Sequence, residues 1–203
     1  MESFRSLRWV DYIYLTILEP RSMGRLINAR GFLPVTFIIP VMVALSEIIA
    51  LSRLSTQSGF FFYKITYGWI FVCIVLMLKL FAIAALIDLS AQFSGLKGAF
   101  PKTITLVTIS LFPHLFLVPI VTIFTTISFA PVFFYFFATI AFSLWSVYII
   151  IVGIAEFYEI SFYRSCATVL IPCGAVFLVV LFLFVLFAAL GYGALSYSHL
   201  LSM

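Results

Sequence analysis

Three side chains could do chemistry because they are ionisable and lie inside long apolar runs: Glu47, Lys79 and His114. If those runs are buried in hydrocarbon, Lys79 sits about nine residues from the nearer end of its run, roughly 13 Å deep at the helical rise. A lysine stem covers about half that distance, so its ammonium does not reach water by snorkelling. An unpaired lysine at mid-membrane costs on the order of 3 kcal/mol, so Lys79 is expected to face other helices and hold a partner. His114 lies at comparable depth in the next run, between Pro113 and Pro119. Those prolines remove the helical donors to the carbonyls of Ile109 and Leu115, and Lys79 could donate to one of them. Glu47 is a second candidate partner, about 8 Å nearer the other surface. Two readings follow: the trio knits the first three runs together, or Lys79 and His114 line a path for protons or ions in a small transporter or channel. Transporters gather several ionisable groups at one depth, which favours the first reading.

A second set lies outside the runs. Glu156, Glu159 and Arg164 fall close together with Tyr158 and Tyr163, and Arg21, Arg25, Arg30, Lys97 and Lys102 carry most of the remaining positive charge. This is either a charged, aromatic-belted helix end or a docking edge, since aromatic and arginine side chains dominate contact energetics. Enzymatic patterns are missing. The two histidines, His114 and His199, stand 85 residues apart, so no paired-histidine metal site is expected. No Gly-x-Ser-x-Gly elbow occurs, and Ser94-Gly-Leu-Lys-Gly98 lacks the preceding strand and spacing of a phosphate-binding loop. Cys166 and Cys173 are about 10 Å apart along a helix, beyond the ~7 Å that a disulfide spans. No catalytic, cofactor-binding or metal-ligating residue is assigned, no cofactor is expected, and the chain reads as a non-enzyme.

The elements that position these residues follow from composition. Of 203 residues, 65% are hydrophobic and 9% charged, with a mean hydropathy of +1.28. A soluble domain has roughly 25% charged residues, so lipid is the solvent for most of this chain. An α-helical span needs about 20 apolar residues. Five stretches qualify: 33–51, 67–87, 103–124, 132–155 and 167–190. They lack the period-2 alternation of barrel strands. The expectation is an all-α polytopic membrane protein, a five-transmembrane-helix bundle (32–203) behind an N-terminal amphipathic cytoplasmic segment (1–31). In that segment Phe4, Leu7, Val10, Tyr14, Ile17 and Leu18 recur at helical spacing, as in a helix lying in the membrane interface. Glu19-Pro20 then breaks the chain, and a short helix, 20–28, sets Met23, Leu26 and Ile27 on one side and Arg21, Arg25 and Arg30 towards phosphates. The first thirty residues are too polar and arginine-rich for a cleavable signal peptide.

Eight Lys or Arg outside the spans fall on the N-terminal side and two, Arg53 and Lys64, on the other. The positive-inside rule then places the N-terminus in the cytoplasm and, with five spans, the C-terminus outside. The net charge of +4 reports topology and anionic-lipid contact, not nucleic acid, because the basic residues are not interleaved with aromatics on a polar face. The third and fourth runs, joined by a few residues around 125–131, must form an antiparallel hairpin. Gly153, Ala155, Gly174, Ala188, Gly191 and Gly193 offer places for close helix contact.

Three segments carry a resemblance: Ile17-Leu-Glu-Pro20 through Leu26; Leu89-Ser-Ala-Gln-Phe-Ser-Gly95-Leu-Lys-Gly98-Ala-Phe100 with the later Leu111-Phe-Pro113; and Trp145 through Gly153 with Glu156, Ile160-Ser161, Arg164-Ser165 and Pro172. In order and spacing they resemble the Yip family of small five-span membrane proteins, named in eukaryotes for interaction with Ypt/Rab GTPases. Eukaryotic members carry a long polar region before the first span, and here about thirty residues precede it. The chain is therefore similar to the short prokaryotic members, which have no Rab partners. The resemblance implies no chemistry but a membrane organiser or partner-binding scaffold in a bacterial inner membrane. Its expected partners are the bilayer and other membrane proteins, with a homo-oligomer left open and no nucleic acid. Lipid handling along the Gly- and Pro-interrupted spans is a weaker third reading.

Overall fold

A chain segment in hydrocarbon must satisfy its own backbone, and a helix does this within one segment. The computed structural model describes residues 9–30, 35–54 and 65–201, with side chains described for 14–29, 36–54, 67–176 and a few positions up to 185. All regular structure among them is helical. Helices α1 (Trp9–Leu18) and α2 (Pro20–Arg30) precede α3 (Val35–Leu54) and α4 (Ile65–Phe93). The third apolar run comprises α5 (Phe100–Ile109), a 3₁₀ turn (Phe112–Phe116) and α6 (Leu117–Thr126). Helices α7 (Pro131–Tyr158) and α8 (Phe162–Leu201) complete the chain. Four stretches, 36–54, 67–93, 100–126 and 131–158, are long and apolar enough to cross a membrane. The fifth expected span falls within the 40-residue α8, whose side chains are only partly described.

The hairpin expected between the third and fourth runs is present: α6 and α7 pack together. Ser128 (φ 56°) and Ala130 (φ 38°) make the turn in the left-handed region, where non-glycine residues are uncommon. Phe124 and Phe134 close it with stacked rings 3.6 Å apart.

Glu19-Pro20 separates two helices as expected, with α1 ending at Leu18 and α2 starting at Pro20. The apolar side of α2, Met23, Leu26 and Ile27, is at most 1% exposed and packs into the same core as Ile39, Val43, Leu80, Ile87, Leu106 and Ile154. The buried side of α2 thus meets α7 and α5. Crossing is close because both helices present glycine. A Cβ on Gly24 would stand 3.1 Å from the carbonyl oxygen of Gly153, and a Cβ on Gly153 would overlap the Leu106 side chain. Among the described residues nothing lies within 4 Å of a Cβ on Gly174; Ala188, Gly191 and Gly193 lie outside the described side chains. Helix α1 touches the 3₁₀ turn in the middle of the third run. Ile17 borders an apolar cavity with Pro113, Phe116, Phe142 and Trp145, so this stretch of α1 packs against protein; Phe4 and Leu7 lie outside the described residues.

Candidate functional site

Polar groups gather at two levels, inside the bundle and at the end of it that carries Arg21, Arg25, Lys102 and Arg164, here termed the basic end.

Inside the bundle, the prolines have the effect expected of them. Pro113 and Pro119 interrupt the third run, and the chain tightens into the 3₁₀ turn, with the His114 N–H donating to Leu111 (2.9 Å). Carbonyls released from helical pairing are taken up by serines. Ser46 of α3 donates to the carbonyls of His114 and Leu115, both at 3.4 Å. Ser146 of α7 donates to that of Ser110 at 2.6 Å. The Leu115 carbonyl is one of the two expected to be free; its donor is Ser46, not Lys79. Thr36 on Thr105 (3.3 Å) adds another link between α3 and α5.

The intramembrane trio is less joined than expected. Lys79 is exposed on α4, Glu47 half-buried on α3 and His114 buried in the 3₁₀ turn. Lys79 lies within electrostatic reach of both other groups, yet among the described residues no hydrogen bond or ion pair links any two of them. His114 Nε2 stands 3.5 Å from the Ser143 hydroxyl, and its buried Nδ1 has no hydrogen-bond partner among the described residues.

At the basic end, the organising residue is one that the sequence reading did not single out. Asp88, on the last turns of α4 and 6% exposed, accepts from the Ala99 backbone N–H (2.7 Å), the Gln92 side chain (2.8 Å) and the Tyr158 hydroxyl (3.3 Å). It therefore fixes the 94–99 turn against α4 and the end of α7. An acidic residue near the end of an apolar run, followed by Ser-Gly-x-x-Gly, was the available signal. Gly98 lies so close that a Cβ there would overlap Gln92 and press on Asp88.

Five of the eight charged residues read from the sequence as a docking face are engaged within the protein. Glu156 accepts from Arg25 at 3.0 Å, and Arg21 approaches it to 3.9 Å. Lys102 donates to the Asn28 side chain (3.0 Å) and lies 5.3 Å from the Phe157 ring centre. Arg164 donates to the Ser94 carbonyl at 2.6 Å, tying α8 to the Asp88-held turn. Lys97 and Glu159 are exposed, with Phe93 (84%) and Tyr163 (87%) nearby in sequence and more exposed still. The Arg30 side chain lies outside the described residues.

Helices of this length and apolarity, linked by serine-to-carbonyl bonds across their middles, define a polytopic α-helical membrane protein. The family model described as the Yip1 domain matches residues 15–196. The chain belongs to the Yip family. Among curated proteins and among solved structures nothing matches it.

Proposed function

We propose that this protein is a non-enzymatic, partner-binding organiser of a bacterial inner membrane, with five spans, a cytoplasmic N-terminus and the basic end as its cytoplasmic docking face. Family membership supports the membrane setting, and the excess of Lys and Arg at the basic end supports its orientation. One observation carries the docking role. Five charged residues at this end are engaged internally and hold a fixed platform, while Lys97, Phe93 and Tyr163 project from it. Fixed charges around projecting aromatics match the composition of binding hot spots. The partner is another membrane protein that presents a carboxylate to Lys97 and an apolar edge to the two rings.

Affinity purification in mild detergent, comparing the parent with Lys97→Glu combined with Tyr163→Ala, tests this. Loss of a co-purifying membrane protein is expected. An unchanged set of co-purifying proteins removes the basic end as the docking surface.

A second reading is favoured by the buried, unpartnered Nδ1 of His114 and the nearby charge of Lys79, namely a polar path through the bundle in a small transporter or channel. Proteoliposome flux decides it. A parent flux abolished in Lys79→Ala and His114→Ala supports the path, and no flux in the parent, or equal flux in the variants, rejects it.

A further inference from the structure

Where α2 crosses the end of α7, an open cavity of about 360 Å³ is lined by Arg21, Val152, Ala155, Glu156, Glu159, Ile160 and Phe162. Its charges are unequally engaged. The nearer oxygen of Glu156 is held by Arg25 at 3.0 Å, whereas Arg21 reaches the other oxygen only at 3.9 Å, through its Nε, with its side chain 75% exposed. The terminal guanidinium nitrogens of Arg21 thus remain able to donate. Glu159 also lines the cavity, and its carboxylate has no hydrogen-bond or ion-pair partner among the described residues. Its backbone is held in the left-handed region (φ 54°), where it caps α7. A non-glycine residue persists there only where its surroundings fix it, and Glu159 lines the cavity from that turn. The site therefore offers one available cation and one available anion in a lining that also includes the apolar Val152, Ile160 and Phe162.

We infer that this cavity binds the headgroup of a zwitterionic phospholipid that carries a primary ammonium, with the phosphate on Arg21, the ammonium on Glu159 and the root of the acyl chains against Phe162 and Ile160. The inference rests on the basic end lying at a membrane surface, and not on which protein docks there. An anionic headgroup satisfies Arg21 but meets Glu159 with like charge. A quaternary ammonium has no N–H to donate to the carboxylate. A primary ammonium beside a phosphate suits both groups, and the half-exposed Phe162 continues the site towards hydrocarbon. The same chemistry is found in free phosphoethanolamine, so the source must be distinguished.

The full-length protein is reconstituted in nanodiscs of mixed phosphatidylethanolamine, phosphatidylcholine and phosphatidylglycerol and then released for native mass spectrometry of retained lipid. Phosphatidylethanolamine is expected to be retained about three- to fivefold over phosphatidylcholine, the range of a partly exposed charge contact. Glu159→Gln is expected to abolish that preference while phosphatidylcholine retention stays the same. Arg21→Gln lowers retention of both, and Thr126→Ala, remote from the cavity, changes neither. Soluble phosphoethanolamine added in excess leaves retention intact if the site takes the whole lipid, and displaces it if the headgroup alone suffices; either result keeps the headgroup assignment. Equal retention of the two lipids by the parent, or a preference that survives Glu159→Gln, overturns it. A cavity that instead takes a basic side chain of a protein partner gives equal retention of the two lipids, the outcome that overturns the headgroup assignment. Co-purification of a protein partner is read separately with Lys97 and Tyr163, so the two proposals fail independently.

Discussion

The two halves of the bundle are built differently. At the basic end, α2, α3, α4, α5, α7 and α8 share one continuous core from Met23 to Val169, and polar side chains from four segments converge on Asp88, Glu156 and the 94–99 turn. In the other half the fully buried apolar cluster among the described residues is Ala50, Leu117 and Val121, and α4 turns Tyr67, Phe71, Ile74 and Leu78 outward. Helices in lipid gain little from apolar burial as such, because lipid tails are as apolar as leucine. They are held by close backbone approach and by hydrogen bonds. The basic half has both, and it has α2 wedged across α7, so it is the half able to hold side chains in fixed positions. The difference says where a site can be: a constellation needs a rigid frame, and one end of this molecule supplies it.

The sharpest way to break that contrast is to separate α2 from α7. Gly24→Leu would drive a side chain against the Gly153 backbone and the Glu156 side chain of α7. Overpacking of this kind costs about 1–3 kcal/mol and more where backbone stands in the way, so we expect a loss of about 3 kcal/mol and release of α2. Gly174→Leu, in open space, is expected to change stability by less than about 0.5 kcal/mol. Thermal unfolding in detergent, followed by size-exclusion chromatography, measures both. If Gly24→Leu unfolds no more readily than Gly174→Leu, the close crossing is not what holds the basic half.

Removing the acceptor at Asp88 is the next largest change. Asp88→Ala leaves the Ala99 N–H, the Gln92 amide and the Tyr158 hydroxyl without it, and a buried group left unpaired costs about 1–3 kcal/mol. The expected readout is local, with faster amide exchange and protease cleavage in 94–99 while the outer ends of α6 and α7 keep their protection. Uniform loss of protection over the whole chain would mean that the two halves are one cooperative unit.

Much of this frame was legible in the sequence, and the reasons differ from residue to residue. Long apolar runs have few alternatives in lipid, so the cores of α3, α4 and α7 fell where composition placed them, and Glu19-Pro20 marked the break between α1 and α2 because proline lacks the N–H that a continuing helix needs. The consequence of Pro113 and Pro119 was also readable, down to the Leu115 carbonyl. Its donor was not, because Ser46 is one of many serines and nothing in periodicity says which one faces the third run. Lys79 attracted attention by charge alone, and its exposed position on α4 depends on how α4 is rotated, which a helix apolar all round does not encode. Asp88 was overlooked for the converse reason: a carboxylate near a span end looks like an ordinary boundary residue until the turn it holds is seen. Gly24 gave no signal at all, since its partner Gly153 lies far along the chain.

Serine-to-carbonyl bonds set the level between the two halves, and they should weaken the bundle by less than either change above. Ser46→Ala removes the donor to His114 and Leu115, and Ser146→Ala the donor to Ser110. Interhelical side-chain bonds in membranes average about 0.6 kcal/mol, so each single variant is expected to lose about that much. The two serines come from different helices and meet different carbonyls of one interrupted segment. The double variant is therefore expected to lose about the sum if the 3₁₀ turn stays in place, and clearly more than the sum if the turn needs at least one donor to persist. A stability loss below additivity would show that the carbonyls find other donors when either serine is gone, and that the middle of this bundle is softer than its basic end.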